Sequence, residues 1–243
     1  MRRHERPAFY ALARSGWRDY ITLLHPPYTL WHLSYVVVGA CLAPRFDAGR
    51  LGLVLGAFGL AVGIGAHALD ELHGRPLRTT IPTGILVGLA ALSIAGAAAM
   101  GVYAALAYSL WLLAFVATGV VLVVAYNVEL FGGRLHTDLW FGLAWGGFPV
   151  LTAYFTQAER LRVEAVLAAL FAVLLSLAQR WLSTPARLLR RRTRLVSGSI
   201  ERIDGTLEPI TVESLLAAPE AALRALTVSV VALAAALLVL RLS

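Results

Sequence analysis

Residues 82–126 read PTGILVGLAALSIAGAAAMGVYAALAYSLWLLAFVATGVVLVVAY, without one Asp, Glu, Arg, Lys or His. A helix needs about 20 predominantly apolar residues to cross the hydrocarbon core of a bilayer. This tract is about twice that length, so it reads as two spans, 82–103 and 105–126, meeting near Ala104 without a charged loop. Its apolar residues cover every face of a helix rather than one stripe, which suits lipid better than water.

Working outward, further apolar runs occupy 27–44, 51–69, 139–157, 163–182 and 220–240. The fold class expected is an all-α membrane protein, a polytopic helical bundle of about seven transmembrane helices. Across the 243 residues, 59% are hydrophobic and 14% charged, against about 45–50% and about 25% in soluble domains. That balance excludes a disordered chain, an ordinary soluble enzyme and a nucleic-acid partner; the partner it implies is the lipid bilayer.

The net charge is +7, and every basic side chain is arginine. With the N-terminus in the cytoplasm, sixteen arginines fall inside (Arg2, Arg3, Arg6, Arg14, Arg18, Arg75, Arg78, Arg134 and the eight from Arg180 to Arg224) and five outside (Arg45, Arg50, Arg160, Arg162, Arg241). The positive-inside bias selects this orientation, and seven spans then put the C-terminus outside, in a multi-pass cell-membrane protein. The N-terminus is charged over too long a stretch for a signal peptide and is expected to be retained. Cys41, the single cysteine, sits in an apolar run and reads as a packed thiol.

Four segments follow: 1–24, 25–182, 183–219 and 220–243. In the first, Phe9, Ala13, Trp17, Tyr20 and Leu24 recur at helical spacing beside Arg14 and Arg18, an interfacial amphipathic helix. The second is a six-helix core, opened by His25, Pro26 and Pro27 and packed through small residues spaced by four: Gly52/Gly56, Gly59/Gly63 and Gly142/Gly146. The third is basic and cytoplasmic, with a hairpin signal at Asp204-Gly205. The fourth is a last helix, with Pro219 in its first turn.

Charges at the ends of apolar runs carry the chemistry, because each is expensive at membrane depth. The stretch HALDELHGRPLRTT ends the second run and supplies His67, Asp70, Glu71, His73, Arg75 and Arg78. On a continuous α-helix, His67, Asp70 and Glu71 share a face. Carboxylates beside arginines suit Mg²⁺ and the phosphates it bridges, since hard oxygens match that ion and guanidinium forks match phosphate. The alternative is a loop of solvated charges. A second cluster, AYNVELFGGRLHTD, supplies Tyr126, Asn127, Glu129, Arg134, His136 and Asp138. Both clusters fall on the cytoplasmic side, where they can share a cavity mouth. Trp140, Trp145 and Tyr154 read as interfacial or core aromatics, and His32 as a buried hydrogen-bonded residue.

Over roughly residues 20–180 the chain resembles the UbiA superfamily of intramembrane prenyltransferases. The resemblance is carried by LLHPPYTLWHLSYVVVGACLAP, by the polar loop with Arg75-Pro76-Leu77, and by the tyrosine-containing loop before AWGGFPVLTAYF. It implies a UbiA-like helical bundle that binds an isoprenyl diphosphate through Mg²⁺ at its cytoplasmic face. The ionised prenyl group would then pass to a hydrophobic acceptor, an aromatic ring or a lipid, or cyclise. Carried onto this chain, it makes Asp70 and Glu71 the catalytic Mg²⁺ ligands. Arg75, Arg78 and Arg134 would meet phosphate, and His67, Tyr126, Asn127 and Asp138 would line the substrate pocket. Aligned on Arg75-Pro76, the family's N-D-x-x-D-x-x-x-D motif finds Ala66, His67, Asp70 and Gly74. The second Asp-rich motif is expected where this chain reads SLAQRWLSTPARLLRRR, without a carboxylate. Seven spans also stand against the family's usual nine. Arg180 and Arg187 can neutralise phosphate in place of metal. The rival expectations are an inactive membrane scaffold or lipid-binding protein and, behind it, a small transporter.

Overall fold

A computed structural model describes residues 6–14 and 16–243; Arg2 and Arg3, counted above as cytoplasmic charges, lie outside the described residues. A short helix α1 (Trp17–Leu23) leads into α2 (Pro26–Leu42). The longer helices α3 (Ala48–Leu72) and α4 (Thr83–Ala107) follow, then α5 (Leu112–Asn127). Residues 138–158 form α6, followed by α7 (Val163–Arg192) and α8 (Val212–Leu242). Between α7 and α8 lies a two-stranded antiparallel hairpin, β1 (Ser199–Glu201) and β2 (Leu207–Pro209). Helices α3, α4, α7 and α8 are long and apolar enough to cross a membrane, while α5 is a shorter apolar helix.

The bundle is built around α2, which packs against α6 and α8 and buries Trp31 and Tyr35 completely. Between lipid-facing helices the hydrophobic effect gives no net drive, so close packing has to supply the association energy. Two glycines permit it. A Cβ on Gly39 would fall on the backbone of Val150 in α6, and one on Gly146 would come within 2.5 Å of the Ala172 carbonyl in α7. Of the small-residue pairs expected from the sequence, Gly142/Gly146 lies against α7, whereas Gly52 and Gly59 face open space. Outward faces carry exposed Leu92 and Leu106 on α4, Leu167, Leu170 and Leu174 on α7, and Val228 and Leu233 on α8. A surface of that kind suits lipid rather than water.

Several boundaries differ from the sequence expectation. The break between the third and fourth apolar runs falls at 108–111 rather than near Ala104, after the Tyr108 backbone leaves the helical region. Helix α7 runs on through Pro185 to Arg192, so 183–192 belongs to the helix, with Thr184, Pro185, Leu188 and Arg192 exposed. Proline removes one backbone donor there, but buried Ser183 and Ala186 hold the turns on either side. Helix α8 begins at Val212, well before Pro219, because Thr211 and Ser214 form a reciprocal capping box at 3.0 Å in each direction. The basic connection therefore shrinks to 193–211. The hairpin forms around Asp204-Gly205, pairing Ile200 with Glu208. The N-terminal amphipathic helix is confined to Trp17–Leu23. Residues 6–11 instead lie over the bundle as a non-helical strap, with Pro7, Ala8 and Ala11 buried.

Two stretches inside helices have wider π-type turns: Gly59–Ala66 in α3 and Leu143–Gly147 in α6. Such turns shift the phase of every later side chain and concentrate at functional positions. Here they also leave carbonyls available to imidazoles. His67 Nδ1 donates to Gly63 at 3.1 Å, and His32 Nδ1 donates to Trp145 at 2.8 Å.

Candidate functional site

Polar groups gather at the bundle end formed by the start of α2, the end of α3, the end of α5, the start of α6 and the last turns of α7. Both polar clusters of the sequence come to this end. His73 Nε2 lies 4.0 Å from Glu129, and the charges acting on Asp70 include that of His136. Arg180, Arg187 and Arg191 are spaced seven and four residues apart, which places them on one face of α7. They form the basic side of a polar cluster, the vestibule, in which the charges of Arg191 and Arg187 act on Asp70.

Residues adjacent in sequence have different employment here. Glu71 is fully buried, and its carboxylate accepts from Leu77 N at 2.9 Å and from Thr79 N and Oγ1 at 2.8 Å each. It is the clamp of the 73–82 loop. Asp19 adds a second tie, accepting from Thr80 N at 2.7 Å and Thr80 Oγ1 at 2.6 Å. Arg75, expected at phosphate, instead donates to the Ile81 carbonyl at 2.6 Å and to Thr83 Oγ1 at 2.9 Å. Arg78 reaches the Arg191 carbonyl at 3.4 Å. Both have left-handed backbones, φ 53° and 56°, in this tightly folded loop. Asp70 is the carboxylate left to the vestibule: Arg191 and Arg187 lie within its electrostatic reach, yet among the described residues no cation is in ion-pair contact with it.

The remaining walls are aromatic. His67 stacks on His25 with ring centroids 4.0 Å apart, and Tyr10 of the strap sits 5.3 Å from His25 and 5.5 Å from Tyr28. Burial, then the charges of His67, Arg191 and Arg187, hold the His25 imidazole neutral by pulling its pKa well below the usual histidine range. Among the described residues its Nε2 is buried without a hydrogen-bond partner. Burial likewise pushes the Tyr10 phenol up, so it stays protonated. Tyr126 stacks on His136 at 4.4 Å, and its hydroxyl accepts from Arg180 Nη1 at 2.9 Å. Arg180 also bonds Asp138 through Nε at 2.8 Å. Asn127 spends its amide on the Val123 carbonyl at 2.7 Å, and Arg134 lies exposed at the rim.

Beyond Tyr126 the surroundings become apolar. Trp145 lies edge-on to Tyr126, with centroids 5.6 Å apart, and also lines a cavity of about 100 Å³ between α3, α4, α5 and α6. Leu53, Ile94, Phe115, Val123 and Phe148 are among its walls, so it is lined almost wholly by apolar side chains. Both π-type stretches contribute lining residues, Ala61 and Val62 from one, Ala144 and Trp145 from the other. A charged vestibule thus adjoins an apolar slot through one aromatic pair.

Among the described residues no three His, Cys, Asp or Glu side chains converge. Of the two carboxylates expected to hold the ion, Glu71 is committed to the loop; Asp138 is engaged by Arg180. Asp70 is the carboxylate of the first cluster without an ion-pair or hydrogen-bond partner among the described residues, and Mg²⁺ held there would complete its oxygen shell from phosphate and water. Sequence reading overlooked Arg191, Tyr10, Tyr28 and the vestibule role of His25. The helical spacing of Arg180, Arg187 and Arg191 is the signal by which Arg191 was detectable. No protein-family model, curated protein or solved structure matches the chain.

Proposed function

We propose that this protein is a multi-pass membrane protein, with α2 to α8 all crossing the bilayer, that binds an isoprenyl diphosphate and acts as a UbiA-like prenyltransferase. The observation supporting this reading is the junction at Tyr126 and Trp145, where an arginine-walled vestibule meets an apolar cavity. A ligand with an anionic head and a long hydrocarbon tail fits that division. Positive-inside bias supports a cytoplasmic side for the arginine-rich vestibule end.

In transfer, the C–O bond to the diphosphate breaks and its electron pair leaves with the head, where Arg187 and Arg191 offset the developing charge. The faces of Tyr126 and Trp145 stand at the junction where an allylic cation would form, and aromatic faces favour cations. A hydrophobic acceptor then forms the new bond and gives up a proton. The test is purified full-length protein in detergent with labelled isoprenyl diphosphates of several lengths, a panel of aromatic and lipid acceptors, and Mg²⁺ present or chelated. Binding with diphosphate release is expected. Absence of both removes the reading.

A second reading, a lipid-binding scaffold without transfer activity, is favoured by one observation: Glu71 is fully occupied by the loop it holds. It predicts ligand binding without diphosphate release for every acceptor.

A further inference from the structure

Arg187 is the least satisfied cation of the vestibule. Its one hydrogen bond among the described residues is to Thr184 Oγ1 at 3.3 Å, on its own helix. Arg191 spends Nε on the Pro7 carbonyl of the strap at 3.0 Å. Neither guanidinium is in ion-pair contact with a carboxylate among the described residues, although other arginines here are: Arg180 with Asp138, and Arg190 with Glu220 at 2.6 Å. The charges of both act on Asp70 without ion-pair contact among the described residues. Arg187 also acts on Tyr10, Tyr28, His25 and Tyr126, of which Tyr10, His25 and Tyr28 pack ring against ring. Half-buried guanidinium groups without a paired anion are costly to hold in place. Two of them on one helix face match the fork geometry of phosphate oxygens.

We propose that Arg187 and Arg191 take the anionic head of the ligand directly, without a bridging divalent ion, and that Asp70 is the counter-charge the head displaces. This rests on the anionic-head ligand proposed above and adds how that head is held. It reverses the role that a metal-dependent site gives Asp70. As a metal ligand, Asp70 would be required for binding. As a competing anion, it weakens binding, and its removal tightens the complex.

The experiment measures binding of inorganic diphosphate, and separately of an isoprenyl diphosphate, to full-length protein in detergent micelles with either EDTA or Mg²⁺. Wild type is expected to bind inorganic diphosphate equally in both conditions. Asp70→Asn is expected to bind it several-fold more tightly, and Arg187→Gln about tenfold more weakly, the loss of one charge-assisted hydrogen bond. The wild-type EDTA comparison and the gain in Asp70→Asn keep the test decisive if Arg187→Gln does not fold. Binding that requires Mg²⁺ and is lost in Asp70→Asn overturns the arginine site while leaving the isoprenyl reading standing. Equal affinity for inorganic and isoprenyl diphosphate in EDTA supports the arginine site and overturns the isoprenyl reading. No binding of either ligand in either condition overturns both.

Discussion

The two polar ends of this bundle use their charges differently. At the end where α2 and α8 finish, Asp47, Arg50, Glu159 and Arg241 are engaged in hydrogen bonds, while Arg45, Arg160 and Arg162 lie exposed. Arg50 donates to the Thr156 carbonyl at 2.7 Å and to Glu159 at 2.9 Å, and lies 4.1 Å over the Tyr108 ring. Asp47 caps α3 by accepting from Arg50 N, while its backbone exchanges two hydrogen bonds with the Gln157 amide. Arg241 closes the end on the Cys41 and Ala43 carbonyls. At the vestibule end, among the described residues, Arg187 and Asp70 have no ion-pair contact and His25 Nε2 has no hydrogen-bond partner. Satisfied charge marks architecture; unspent charge, held in place by well-bonded neighbours such as Glu71, marks a place for a ligand.

The largest expected effect tests the support of the vestibule. Glu71→Ala leaves two buried backbone donors and the Thr79 hydroxyl unpaired, at about 1–3 kcal/mol each. Yield of folded protein and Tm should fall sharply, and Glu71→Gln should recover part of the loss. A wild-type Tm in Glu71→Ala would break the assignment of Glu71 to architecture. Next, Gly146→Leu forces α6 away from the Ala172 carbonyl and should cost about 1–3 kcal/mol from overpacking; gel filtration and thermal unfolding in detergent report it.

Arg50→Met sharpens the contrast directly. It should lower stability by about 1–3 kcal/mol while leaving diphosphate affinity unchanged, the opposite of the pattern expected for Arg187→Gln. Equal loss of ligand affinity in the two variants would mean that the ends do not differ as described.

The pH response should come from the vestibule half, where all the described histidines lie. His25 has a folded-state pKa well below its ordinary value. On acidification the unfolded chain therefore takes up the proton first. The stability tied to neutral His25 is complete above about pH 6.5 and is lost as pH falls toward the lower folded value. The groups facing His25 are His67, Arg187, Arg191, Tyr10 and Tyr28. Wild-type Tm should drop between about pH 7.5 and about pH 5, and His25→Gln should narrow that drop. An unchanged drop would assign the acid sensitivity elsewhere. The smallest effect belongs to Glu159→Ala at the far end: an exposed salt-bridge arm, worth about 0–1 kcal/mol and reduced by salt.

Much of the fold was legible because a membrane-type helix announces itself locally. In residues 82–126 the absence of charge was enough to place two helices, and only the four residues between them were misplaced. Pro219 misled for a clear reason. A proline costs a helix one hydrogen bond, and packing that no local pattern reveals decides whether the helix ends there. The Thr211/Ser214 cap was readable in principle but was outweighed by the proline. The site was less legible. Asp70 and Glu71 look equivalent in sequence, yet the loop claims one and the vestibule the other. The π-type turns of 59–66 rotate His67, Asp70 and Glu71 together relative to the earlier turns of α3.

By itself, then, the sequence determined helix content, the approximate limits of the apolar segments and the gathering of polar residues at their ends. Composition over about 20 residues sets the free energy of placing a segment in lipid, and backbone hydrogen bonding within each helix needs no distant partner. Only the tertiary structure decided which charges are spent and which are free. That depends on contacts between residues far apart in the chain: Arg191 with Pro7, Arg180 with Tyr126, His25 with His67. Whether a buried ionic group is structural or available for a ligand is fixed by the partners that packing brings to it, and no local pattern encodes them.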